Sequence, residues 1–159
     1  MALGQQIYTY WQEWRCLSNN IGYSFPVHFV KTIFAQRTYS MQLKLIRPIC
    51  FFDLETTGTN VAKDRIVEIA ILKVYPNGNK ESKTWLVNPE MEIPAEVVAI
   101  HGISNEKVAN EPTFKQLSKE IHKMIKDCDL GGYNSDRFDI PLLAEEMLRA
   151  EIDFDMKNT

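Results

Sequence analysis

Nothing in this chain of 159 residues is apolar for long enough to form a bilayer-spanning helix, which needs about 18 residues or more. No membrane partner is expected. Basic charge is not in excess either: 18 Lys and Arg against 21 Asp and Glu leave a formal net charge of −3. That balance argues against a sequence-independent nucleic-acid coat with a basic stripe. It leaves open a protein that reaches phosphate through bound metal, because the ion inverts the local electrostatics. Cysteine is scarce, and Cys16, Cys50 and Cys128 have no metal-ligand spacing. Cys50 falls in an apolar run and Cys128 ends a predicted helix, so both read as small core residues of a reducing, cytoplasmic compartment. Repeats and low-complexity segments are absent.

The organisation changes near Met41. Residues 1–40 are rich in aromatics, from Tyr8 and Trp11 to Phe34 and Tyr39, but hold a single acid, Glu13. No sustained helical or strand period runs through them, and the basic start, apolar core and cleavage site of a secretory signal are missing. A transit peptide fits only loosely. The expectation is a leader outside the fold, with translation starting at Met41 and residues 41–159 forming one domain.

From Ile49 the elements are legible. Ile49 to Leu54 reads as a first strand, Arg65 to Tyr75 as a second with many β-branched residues, and Ser82 to Val87 as a third. Pro76-Asn77-Gly78-Asn79 supplies a hairpin turn between the last two. Pro94 opens a short helix through Ile100. Thr113 and Gln116 match a capping box for a helix reaching about Asp127, with Phe114, Leu117, Ile121, Met124 and Ile125 on its apolar face. Asp129 to Tyr133 reads as a short strand. A last helix runs from about Phe138 or Ile140 to Ala150, with Glu145 and Arg149 paired across one turn.

The chemistry concentrates in Asp53-Leu54-Glu55-Thr56-Thr57-Gly58. Acids at i and i+2 of a strand share a face, and a central apolar strand covered on both faces gains nothing from unpaired carboxylates. A divalent cation between them makes the arrangement tolerable, since magnesium and manganese favour hard oxygen ligands. A bare Asp-x-Glu is more often a solvent-facing strand end. The full string resembles the first motif of the DEDD superfamily of 3′–5′ exonucleases, the epsilon-type proofreading exonucleases among them. Two further segments stand in the same order as in that family. Ile100-His101-Gly102-Ile103 resembles the segment that lines the 3′-terminal nucleotide. Gly132-Tyr133-Asn134-Ser135-Asp136-Arg137-Phe138-Asp139 resembles the second motif, with Tyr133 where many members carry histidine.

The resemblance implies a ribonuclease H-like α/β fold: a mixed sheet of three antiparallel strands, then parallel strands, flanked by helices. It implies hydrolysis of nucleoside 5′-monophosphates from a 3′ end, using two Mg²⁺ or Mn²⁺ ions about 4 Å apart. By the same resemblance Asp53, Glu55 and Asp139 are the catalytic, metal-binding acids. Leu54, Thr56, Thr57, Ile100, His101 and Asn134 would hold the terminal nucleotide. Single-stranded DNA 3′ ends are the implied partner, with RNA and a DNA polymerase as further candidates. The family's third motif, with a fourth carboxylate and in one branch a His-x-x-x-x-Asp base, has no counterpart after Asp139. The expectation is therefore a C-terminally truncated domain, impaired as it stands. Two alternatives remain open: a non-catalytic fragment that binds nucleic acid or a polymerase, and, on Asp-Leu-Glu-Thr-Thr alone, a haloacid dehalogenase-like phosphatase.

Overall fold

A computed structural model describes residues 45–132 and 135–154. The expected leader, Tyr133 and Asn134 lie outside the described residues. Four strands form one sheet: β1 (Ile49–Thr56), β2 (Ile66–Val74), β3 (Lys80–Leu86) and β4 (Asp129–Gly131). Their order is β3-β2-β1-β4. β2 is antiparallel to both β1 and β3, and β4 runs parallel to β1, the mixed sheet expected from the sequence. The hairpin joining β2 to β3 turns at Gly78, whose φ of 84° is left-handed.

The described residues hold four helices, three between β3 and β4 and one after β4: α1 (Ala95–His101), α2 (Asn105–Val108), α3 (Phe114–Ile125) and α4 (Asp139–Arg149). The capping box of α3 is formed, with Thr113 N–H donating to Gln116 Oε1 at 2.8 Å. The five apolar residues expected on its inner face are all buried. They share the main core with Leu142, Leu143 and Met147 of α4, with Ile69 and Ile71 of β2, and with Cys50, Phe52 and Leu54. A smaller cluster of Val67, Ile93, Ile103 and Val108 joins the start of β2 to the α1–α2 segment.

This layering corrects the expectation that β1 is covered alike on both faces. Cys50, Phe52 and Leu54 are buried, whereas Ile49, Phe51, Asp53 and Glu55 on the opposite face are only half-buried. Both long helices pack on the first face, so the acids sit on the side with the lower desolvation cost.

α2 was not foreseen. It has four residues, too few for a periodic pattern, and rests on Ser104, whose hydroxyl accepts from Lys107 N–H at 3.3 Å. Asn105 holds it to the chain before α1 by bonding both the N–H and the carbonyl of Ile93 (2.8 and 3.0 Å).

Candidate active site

The end of β1 places the first two acids. Asp53 stands opposite Ala70 and Glu55 opposite Glu68 on β2. Directly paired residues of antiparallel strands share a face, so Glu68 adds a third carboxylate to the side carrying Asp53 and Glu55. Glu68 was not picked out from the sequence. The available signal was one acid inside the apolar run Ile66-Val67-Glu68-Ile69. Just beyond, the register shifts so that Thr56 faces Ile66 and Val67 becomes the extra residue. Such bulges re-aim side chains at the ends of strands.

The loop after β1 is rigidly built. Thr57 is buried, and its backbone N–H donates to the Arg65 carbonyl at 2.9 Å. Its hydroxyl donates to Asp64 Oδ1 at 3.1 Å and accepts from Arg65 N–H at 3.0 Å. Asp64 Oδ2 also accepts from Asn60 N–H at 2.7 Å. A side chain at Gly58 would meet that carboxylate, since a Cβ there would lie 2.5 Å from Asp64 Oδ2. Thr57 and Gly58 therefore shape the loop, with Thr57's polar groups engaged inside the chain. Thr56 donates its hydroxyl to the Gly58 carbonyl at 2.7 Å.

Asp139 reaches this strand end from the first turn of α4. β4 ends opposite Phe51, and beyond it no strand among the described residues pairs with β1 on that side. Gly132 lets the backbone pass close by: a Cβ there would lie 3.0 Å from the Phe52 carbonyl oxygen and 2.9 Å from Ser135 Cβ. The Asp139 carboxylate lies beside the backbone N–H of Leu54, the residue between Asp53 and Glu55, and that N–H favours its charged form. Burial pushes the Asp139 carboxyl up to about 6, its own and Leu54's backbone N–H groups oppose the rise, and the Glu55 charge adds to it. The side chain of Leu54 is buried in the main core, so its exposed contribution to the site is backbone.

Ile100 and His101 end α1, and Gly102 closes the helix in the left-handed region with φ 75°. Ile100 is 82% exposed, apolar surface with nothing of its own core to cover. His101 Nδ1 accepts from Ile103 N–H at 3.0 Å, which leaves Nε2 as the ring donor. Nε2 is buried and has no hydrogen-bond partner among the described residues. A buried donor without an acceptor is costly unless a ligand supplies one.

The donor set fits a hard divalent cation. Asp53 and Glu55 offer oxygens from one strand face, and the field of Glu55 at Asp139 is a like-charge strain that a cation would relieve. Among the described residues no three Asp, Glu, His or Cys side chains are gathered as a ready-made ion cage. Mg²⁺ ordinarily takes waters and substrate phosphate as its remaining ligands.

A four-stranded mixed sheet flanked by helices, with two acids on β1 and another at the start of α4, defines an α/β protein. Residues 50–158 match the model of the exonuclease family RNase_T, and the chain belongs to that family. It is 30% identical over 105 residues to the 3′-5′ exonuclease DinG of Staphylococcus epidermidis, covering 66% of this chain and 12% of that one. With the DNA polymerase III subunit epsilon of Treponema pallidum it shares 31% identity over 96 residues, 60% of this chain and 44% of the relative. The chain thus spans less than half the length of either relative. Among solved structures, E. coli exonuclease I in complex with a dT13 oligonucleotide superposes with a TM-score of 0.61 at 24% identity, over 67% of this chain and 25% of that one. That likeness establishes the fold, as does the matching complex of exonuclease I titled ExoI/SSB-Ct at a TM-score of 0.62, with 24% identity over 67% of this chain and 25% of that chain. Family membership sets aside the phosphatase reading.

Proposed function

We propose that the domain is a metal-dependent 3′–5′ exonuclease acting on single-stranded DNA ends, with RNA ends as a second substrate. What supports this is Asp139, an acid 86 positions beyond Asp53, lying beside the Leu54 backbone N–H and within the field of Glu55. A carboxylate held partly buried within the field of Glu55 serves an ion better than it serves the fold. Asp53, Glu55 and Asp139 would hold two Mg²⁺ or Mn²⁺ ions. When bound, the ions supply activation of water and stabilisation of the leaving oxygen in an in-line displacement.

The chain's own residues bind and orient the 3′ end. His101 Nε2–H donates to an oxygen of the terminal nucleotide, and Ile100 offers apolar surface to its base. Thr56, held by Gly58, and the backbone at Leu54 fix the strand end against which the last phosphodiester lies. Thr57 acts indirectly, through Arg65 and Asp64. A DNA polymerase is the partner by the likeness to the epsilon subunit.

The test is a single-turnover digestion of a 5′-labelled single strand with enzyme in excess and Mn²⁺ present. Wild type is expected to shorten the strand one nucleotide at a time from its 3′ end, and Asp53→Ala to leave it intact. Equal shortening by both proteins, or release of label from the 5′ end, would contradict the proposal.

A further inference from the structure

Glu146 lies on α4 seven residues after Asp139, which is two turns along and within about 20° of the same helix face. It is 1% exposed, and a buried carboxylate needs its charge met. Arg65 meets it with two bonds: Nε donates to Oε1 at 2.6 Å and an Nη donates to Oε2 at 3.3 Å. Arg149 adds a third at 3.4 Å to Oε1, and reaches across to the carbonyls of Ala62 (2.8 Å) and Asp64 (3.1 Å). Arg65 is itself tied to Thr57, two residues past Glu55, through both its N–H and its carbonyl.

These contacts close a ring. From Glu55 the chain runs to Thr57, from Thr57 by hydrogen bonds to Arg65, from Arg65 by the ion pair to Glu146, back along α4 to Asp139, and from Asp139 to the N–H of Leu54. We propose that Arg65 and Glu146 are positioning residues for Asp139: their buried pair fixes the seating of α4 against the loop after β1, and so the placing of Asp139 beside Asp53 and Glu55. This rests on the exonuclease reading of the same site.

A pair kept only for stability would be replaceable, since buried ion pairs are often matched or surpassed by apolar residues of similar volume. A bidentate guanidinium–carboxylate contact differs from such packing in fixing both distance and orientation. The positioning role therefore separates from stability in one variant, the double replacement Arg65→Met with Glu146→Leu, made in the full chain.

Two readouts decide. In metal-free protein labelled with ¹⁵N, hydrogen exchange at the Leu54 amide is expected to accelerate about tenfold or more in the double variant, while other β1 and β2 amides and the melting temperature change little. The single-turnover rate should fall about tenfold or more with little change in half-saturating DNA, as for a misplaced group. Ile121→Val, which loosens the main core away from the ring, should leave Leu54 in step with its strand neighbours. If the double variant does not fold, Arg65→Lys, which keeps the charge and loses the fork, is read in the same way. Unchanged Leu54 protection in the folded variant would overturn the clamp, whether or not the protein cleaves DNA. Lost protection in a chain that never cleaves DNA would uphold the clamp and overturn the exonuclease reading instead.

Discussion

At Asp139, burial and the Glu55 charge outweigh two backbone N–H donors, and the carboxyl is pushed up to about 6 from an ordinary 3.8. An acid raised in this way binds its proton more tightly folded than unfolded. Its contribution to stability is complete below the unfolded value and is lost as pH rises through the folded one, a window from about 4 to 6. Asp139→Asn keeps an oxygen for the Leu54 N–H and carries no charge. In the presence of a chelator it is expected to melt above wild type at pH 7.5, with the gap closing as pH falls towards 4. Mn²⁺ should raise the wild-type melting temperature at pH 7.5 and leave the Asn variant where it is. Scanning calorimetry across that range checks both, and a constant gap at every pH would contradict the assignment. His101 makes a different kind of prediction. If its partnerless Nε2–H serves the terminal nucleotide, His101→Ala should raise the half-saturating concentration of a 3′ end several-fold and change the saturated rate less. The reverse pattern, titrated with a fluorescent single strand, would place His101 in the chemical step.

The elements that hold these residues were legible where periodicity is long. The apolar face of α3, its capping box and the Asn77-Gly78 turn all follow from local pattern, and each is present in the structure. α2 was not, because four residues carry no period, and its hold on Ile93 runs through the side chain of Asn105. Asp53, Glu55 and Asp139 were singled out from motif order. Arg65 and Glu146, 81 positions apart, leave no local signal of their pairing. The expected Glu145–Arg149 contact is there at 3.4 Å, yet Arg149 also binds carbonyls of the loop after β1, which no helical spacing reveals. Two substitutions test the division between scaffold and site. Thr113→Ala removes the α3 cap, whose bonds are to Gln116 and not to the acids, and should cost about 1 kcal/mol of stability with ion binding unchanged. Gly132→Ala forces a Cβ against the Phe52 carbonyl and Ser135, and should cost about 1–3 kcal/mol and weaken Mn²⁺ binding as well. Urea melts paired with calorimetric titration separate the two effects.

Across the whole molecule, the sheet divides labour between its faces. One side of β1 anchors the main core with Cys50, Phe52 and Leu54, and the other presents Asp53 and Glu55 half-buried. β1 is paired on both edges for its first three residues, and on the β2 edge along the rest of its length. The central claim is that this strand end and α4 together hold the ions of an exonuclease. Isothermal titration with Mn²⁺ in the presence of a nucleoside 5′-monophosphate tests it most directly. Wild type is expected to give a saturable heat that neither Asp53→Ala nor Asp139→Ala gives, with both variants folded by circular dichroism. Binding of equal strength in Asp53→Ala would contradict the account.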